Sequence, residues 1–149
     1  MPNWCVGTLK VRGEKSNLER FVFEGLKPVG FLGDLKEPLN RDKWGDIHTK
    51  ESCWIEGTRR GFVRGLELYL SEIEDDGIIA LDAEFAWCID VEGLQKACQK
   101  YNVDMRMYAF EQGMQFNQEV EIINGEITID DEITFDDYKW ECICPDLGG

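Results

Sequence analysis

Hydrophobic residues recur along this chain with two different periods, and the change from one to the other marks out its elements. Asn3 to Arg12 reads as a strand ended by Gly13. Ser16-Asn17-Leu18-Glu19 then has the form of a capping box, with Ser16 as N-cap and Glu19 reaching back to it. Leu18, Phe21, Val22 and Leu26 follow at helical spacing, which predicts a helix over 17–26 with one buried face. Residues 27–50 contain Pro28, Gly30, Gly33, Pro38 and Gly45 without a sustained period, so a long loop is expected there.

A short strand is expected from Ser52 to Gly57, and Phe62, Val63, Leu66, Tyr69, Leu70 and Ile73 predict an amphipathic helix, weakened by Gly61 and Gly65. Asp75-Asp76-Gly77 reads as a turn. Ala83, Phe85, Trp87 and Ile89 alternate as a strand, Val91, Leu94, Ala97, Cys98 and Tyr101 mark a helix, and Val103, Met105, Met107 and Ala109 alternate again up to a break at Gly113.

Asn124-Gly125 between two alternating runs predicts a type I′ hairpin turn. A two-residue loop would set Ile122 opposite Ile127, Val120 opposite Ile129 and Glu119 opposite Asp130. One face would then be wholly apolar, with Glu119, Glu121, Glu126 and Asp130 on the other. Ile133, Phe135, Tyr138, Trp140, Cys142 and Cys144 suggest a further strand around Asp136-Asp137. The expected class is α+β: one antiparallel sheet in a single domain over 1–149, helices on one face and an acidic C-terminal hairpin. Trp4, Leu9, Phe21, Phe85, Trp87, Leu94, Met107, Ile122 and Ile129 are expected to supply much of the core.

Composition adds little to this picture until charge is considered. With 149 residues, 43% hydrophobic and 31% charged, the chain is globular in type, and no apolar run approaches the roughly 20 residues that span a bilayer. The opening residues carry neither a basic start nor an apolar stretch, so a cytoplasmic location with reduced thiols is expected for the six cysteines. Sixteen basic residues stand against 30 acidic ones, a net charge of -14. Residues 1–50 hold 9 basic and 7 acidic side chains, whereas residues 101–149 hold 2 and 12. So negative a chain repels phosphate backbones and anionic membranes and attracts basic partners, which disfavours direct nucleic-acid or membrane binding.

Catalytic signatures are missing. His48 is the only histidine and falls in the expected loop, and no nucleophile elbow, zincin helix or phosphate-binding glycine loop occurs. Cys142 and Cys144 could join Cys5 or Cys53 around zinc, but the spacing is not that of a structural site, and buried free thiols are the simpler expectation. A calcium loop starting at Asp130 would place Phe135 where the turn requires glycine. No cofactor or metal is expected. Arg59, Arg60 and Arg64 form a compact basic cluster at the start of the predicted helix, read as a salt-bridge partner for the acidic half.

Two stretches carry a family likeness: Met1-Pro2-Asn3-Trp4-Cys5 with the strand and helix after it, and Phe85-Ala86-Trp87 through Tyr108-Ala109-Phe110-Glu111-Gln112-Gly113-Met114-Gln115-Phe116. Together they resemble the YubB ferredoxin-like family carried by phages, plasmids and integrated elements. The resemblance implies a ferredoxin-like sheet and a mobile-element setting, and no activity. With the charge, it leads to the expectation of a non-enzymatic inhibitor of a basic, nucleic-acid-handling host defence protein, of the anti-CRISPR or anti-restriction class. The expected contact residues are Glu119, Glu121, Glu126, Asp130, Asp131, Asp136 and Asp137, exposed in one negative patch. The alternatives are a small metal-dependent or carboxylate enzyme, and an accessory domain with no charged partner.

Overall fold

Buried residues alternate along β1 (Trp4–Gly13), where Cys5, Leu9 and Val11 are buried and Thr8, Lys10 and Arg12 are exposed. In the computed structural model, which describes residues 1–144, this strand lies inside an eight-stranded sheet. The other strands are β2 (Leu26–Val29), β3 (Ile47–Ile55), β4 (Gly61–Leu68), β5 (Gly77–Ala86), β6 (Asp104–Glu111), β7 (Phe116–Ile123) and β8 (Glu126–Thr134). Their spatial order is β2-β3-β4-β5-β1-β6-β7-β8, and each neighbouring pair is antiparallel. Helix α1 (Lys15–Arg20) continues into a π-helical turn (Phe21–Gly25), and α2 (Val91–Tyr101) and α3 (Tyr138–Glu141) complete the elements used below. The class is α+β, as the sequence predicts; residues 145–149 of the expected domain lie outside the described residues.

The first two helices cover one face. Leu18, Phe21 and Val22 from α1 and its π turn, and Leu94, Ala97, Cys98 and Tyr101 from α2, bury against Leu9, Leu81, Phe85, Met105, Met107, Val120 and Ile122. Asp90 caps α2 by accepting from the Gly93 N–H at 3.1 Å, and Asn102 ends it at φ 52, the left-handed stop available to asparagine. Of the expected core, Leu9, Phe21, Phe85, Leu94, Met107 and Ile122 are buried. Trp4 and Ile129 are half-buried, and Trp87 is 55% exposed.

Several expectations are corrected. Ser16 does not cap α1: the strand runs through Gly13, the helix starts directly after it, and Asn17 and Leu18 donate to the Glu14 carbonyl, both at 3.0 Å. The expected 27–50 loop is bounded more narrowly, because β2 takes Leu26–Val29 and β3 begins at Ile47. Pro28 is tolerated because β2 is an edge strand. The helix expected over Phe62–Ile73 is instead β4 followed by a short turn. Its apparent helical spacing comes from an irregularity in pairing. Register shifts between Thr49 and Ser52, Gly65 sits at φ 73, and burial changes phase from Gly61 and Val63 to Leu66 and Leu68.

The hairpin turn forms where expected, with Asn124 at φ 52 and Gly125 at φ 75. Its register holds for Ile123 opposite Glu126 and Ile122 opposite Ile127 and then slips. A bulge at Thr128 sets Glu121 opposite Ile129, Val120 opposite Asp130 and Glu119 opposite Asp131. Thr128 Oγ1 donates to the Glu121 carbonyl at 3.2 Å and lies 3.0 Å from its carboxylate. The apolar face therefore breaks after Ile127, and Ile129 crosses to the other side. Among the described residues, no last strand runs through Cys144. Tyr138 and Cys142, four residues apart, are instead the buried face of α3, which folds over Phe110 on the side of the sheet opposite α1 and α2. Gly125→Ala should destabilise the fold by about 1–2 kcal/mol, because an alanine at φ 75 meets its own carbonyl. The added Cβ would also lie 3.0 Å from Gln99 Cγ. Thermal unfolding checks this, and an unchanged midpoint would show that the turn does not set the register.

Candidate functional site

The acidic residues singled out in the sequence separate into two groups. Glu119 and Glu121 lie on β7 facing Arg106 of β6, whose guanidinium reaches them at 3.1 and 3.6 Å. Both carboxylates are half-buried and already paired, so they are corrected from exposed contact residues to partners of Arg106. Glu126, Asp130 and Asp131 of β8, and Asp136 and Asp137 after it, are exposed. Glu132, which is not among the expected contact residues, belongs with them and is exposed too. The run Asp130-Asp131-Glu132 is the signal that could have found it.

β8 is the edge of the sheet and none of its nine residues is buried. The bulge places Asp130 and Glu132 on the same side as Val120, and Asp131 on the side of Glu119, so the carboxylates do not share one face. They are gathered along a rim that is acidic on both sides. Among the described residues, Glu126, Asp130, Asp131, Glu132, Asp136 and Asp137 make no ion pair within 4.0 Å, unlike Asp104, Glu119 and Glu121 next to them. Asp137 is also part of the fold, since its carboxylate accepts from the Trp140 N–H at 3.2 Å and caps α3.

Behind this rim, α3 is fixed by a buried polar cluster that the sequence did not reveal. Asn117 of β7 receives the Tyr138 hydroxyl at 2.8 Å and donates to the Tyr108 hydroxyl at 3.0 Å and to Cys142 Sγ at 3.3 Å. Burial pushes the Tyr138 hydroxyl well above the ordinary tyrosine range. Glu111, fully buried at the end of β6, accepts from the Gly113 and Met114 N–H groups at 2.8 and 2.7 Å and so shapes the β6–β7 turn. These contacts hold α3 and the β6–β7 turn in position.

The remaining candidates disperse. His48 sits on β3, 3.5 Å from Asp42 and edge-on to the Tyr69 ring at 5.7 Å. The three arginines occupy the turn before β4 and β4 itself. Arg59 and Arg64 pair with Asp90 and Glu84 at 3.7 and 3.8 Å, which agrees with the salt-bridge reading, and Arg60 stacks over Trp4. Among the described residues no three His, Cys, Asp or Glu side chains are close enough together to hold a metal ion. Cys53 lies in the main core and Cys142 under α3, in separate clusters.

Burial pushes the Cys5, Cys53 and Cys98 thiols up to about 12, 11 and 12 from an ordinary 9.0. A thiol-specific reagent at pH 8 should therefore modify exposed Cys88 rapidly and spare these three until the chain unfolds. The sign of the accompanying pH effect is fixed. A thiol whose folded value lies above its unfolded one contributes stability that is complete below about 9 and lost as pH rises toward 11–12. Urea midpoints should fall across that window, and labelling of four or more thiols in the native state would contradict the burial. Comparison with family models, curated protein sequences and solved structures gives no match, and no helix among the described residues is long and apolar enough to cross a membrane.

Proposed function

We propose that this chain is an acidic, non-enzymatic interaction protein whose β8 rim enters a basic, nucleic-acid-binding channel of a host defence protein and blocks it by charge mimicry. The observation that carries the reading is the rim itself: a sheet edge with six exposed carboxylates and no cation paired to them among the described residues. Glu119 facing Asp131 is a like-charge cross-strand pair, which costs roughly 0.2–1 kcal/mol and is relieved when a cation arrives. Arg106 at 3.1 Å already does this for Glu119 from within the chain, and the outer carboxylates await the same from a partner.

The ferredoxin-like reading belongs to this proposal. The path β1–α1–β4–β5–α2–β6, with those strands in spatial order β4-β5-β1-β6, supports it, and leaves β2–β3 and the acidic β7–β8 hairpin as additions at the two ends. The resemblance to the YubB family supplies the mobile-element setting.

The test is capture from host lysate on the immobilised chain. A basic, nucleic-acid-handling protein should be retained at low salt, released at about 1 M salt, where the Debye length is about 3 Å, and displaced by added DNA. Retention indifferent to both salt and DNA would overturn the reading.

A further inference from the structure

A second surface runs from β1 through β4 to β3, toward the end of the sheet away from β8. On the face away from α1 and α2, Trp54 of β3 stands opposite Phe62 of β4, and Trp4 of β1 meets the Phe62 ring edge-on, centroids 6.2 Å apart at 74°. The Arg60 guanidinium lies 5.8 Å from the centre of the Trp4 ring and, among the described residues, pairs with no carboxylate within 4.0 Å. Where β5 ends, Trp87 takes φ 72, a backbone region that penalises a bulky side chain, and its N–H donates to the Asn3 carbonyl at 2.8 Å. Its indole remains 55% exposed and, with Arg59, Arg60, Phe85, Cys88 and Asp90, lines a cleft of about 210 Å³.

Exposed tryptophan, a second tryptophan stacked with arginine, and Arg59, whose side chain stays 81% exposed beside Asp90, are the parts of a base-stacking platform. Ring faces take bases whatever their sequence, and guanidinium groups stack or bind phosphate. Asp90, which touches Arg59, is also engaged by the first turn of α2, and nearby Glu84 is taken by Arg64.

The net charge of -14 argues against such a ligand only if the charge is spread evenly, and it is not. Residues 26–68, which hold β2, β3 and β4, contain eight basic and seven acidic side chains. Residues 104–141, which hold β6, β7 and β8, contain two and eleven. Between β4 and β8 lie β5, β1, β6 and β7. At about 4.8 Å per step the rim is roughly 14 Å from Trp4 on β1 and roughly 24 Å from Phe62 on β4, about two to three Debye lengths at physiological salt. The repulsion is screened where the rings are.

We infer that this end of the sheet binds a short single-stranded segment of nucleic acid, with bases on Trp87 and on the Trp4–Phe62 pair and phosphate held by Arg60 and Arg59. A duplex does not fit, because its base faces are already stacked.

Fluorescence anisotropy of labelled oligouridine and oligothymidine of about ten nucleotides, and of a duplex of the same length, tests this with the full chain. Either single strand should bind at least about tenfold more tightly than the duplex. The logarithm of its binding constant should fall with log salt at a slope of about -1.4, for two neutralised phosphates. Trp87→Gly suits φ 72 and so keeps the fold, yet should weaken binding at least fivefold, and Arg60→Ala should do likewise. Lysine at Asp130 and Asp131 should change it less than about twofold, which separates this surface from the β8 rim. Absence of single-strand binding at about 10⁻⁴ M protein, equal duplex binding, or indifference to both platform variants would overturn the inference.

Discussion

Lysine at Glu126, Asp130 and Asp131 together should abolish capture of the basic partner while leaving the chain folded. All three side chains are exposed on the edge strand, so the substitutions disturb no packing. Asp131→Lys even replaces a like-charge pair with an attractive one across from Glu119, worth roughly 0.2–1 kcal/mol. Steering by rim charges raises association from about 10⁵–10⁶ to 10⁸ M⁻¹s⁻¹ or more at low salt. Reversal should therefore slow association by about a hundredfold or more and remove most of its salt dependence. Surface plasmon resonance against the captured partner measures both. If the triple variant binds with unchanged rates, the rim serves only solubility, and the charge-mimicry reading fails with it.

Truncation of Phe21 should give the largest loss of stability. Phe21 is fully buried in the π turn that follows α1, and its ring meets Tyr101 of α2 edge-on at 5.7 Å and 70°. It is the point at which the two helices grip each other over the sheet. Phe21→Ala should cost about 3–5 kcal/mol, the transfer of a buried ring plus the cavity left behind. A double-mutant cycle with Tyr101→Leu should return a coupling of about 0.5–1.5 kcal/mol from the ring pair. Urea unfolding provides the readout. A loss below about 1 kcal/mol would mean that α1 contributes little to the core and that the sheet stands on α2 alone.

The two variants act on different parts of the same sheet, its outer edge and its helix-covered face. Helices fasten one face, and the other face and the edges are left to interact. That division follows from β1, whose buried Cys5, Leu9 and Val11 point to the helices while Lys10 and Arg12 do not. Lys10 directly opposes Arg106 across the β1–β6 pair, and Arg106 turns to Glu119 and Glu121. Arg106 thus consumes the inner carboxylates of β7, whereas among the described residues the carboxylates of β8 make no ion pair.

Local order was legible in the sequence at the hairpin turn and at α2, though the Ser16 capping signal misplaced the start of α1. The Asn124-Gly125 turn formed because both residues tolerate positive φ, and α2 formed where Asp90 could cap it and Asn102 could stop it. The charge imbalance toward the C-terminus was equally plain. What the sequence hid was decided between strands. At Gly65 and at Thr128 an irregular register shifts the alternation by one residue. At the first it made β4 look like a helix, and at the second it moved Ile129 out of the apolar face and Asp130 into its place. Neither slip has a local signature beyond a glycine or a threonine, because the partner strand fixes where the extra residue sits. Tyr138 and Cys142 likewise fit a strand or a helix by spacing alone; Asn117, 21 residues before Tyr138, offers the buried hydrogen bonds that make the helix. Chain-local chemistry therefore set the turns, the long helix and the sign of the surface. Pairing across the sheet decided which residues face the core, which stand on the rim, and which aromatic rings are left in the open.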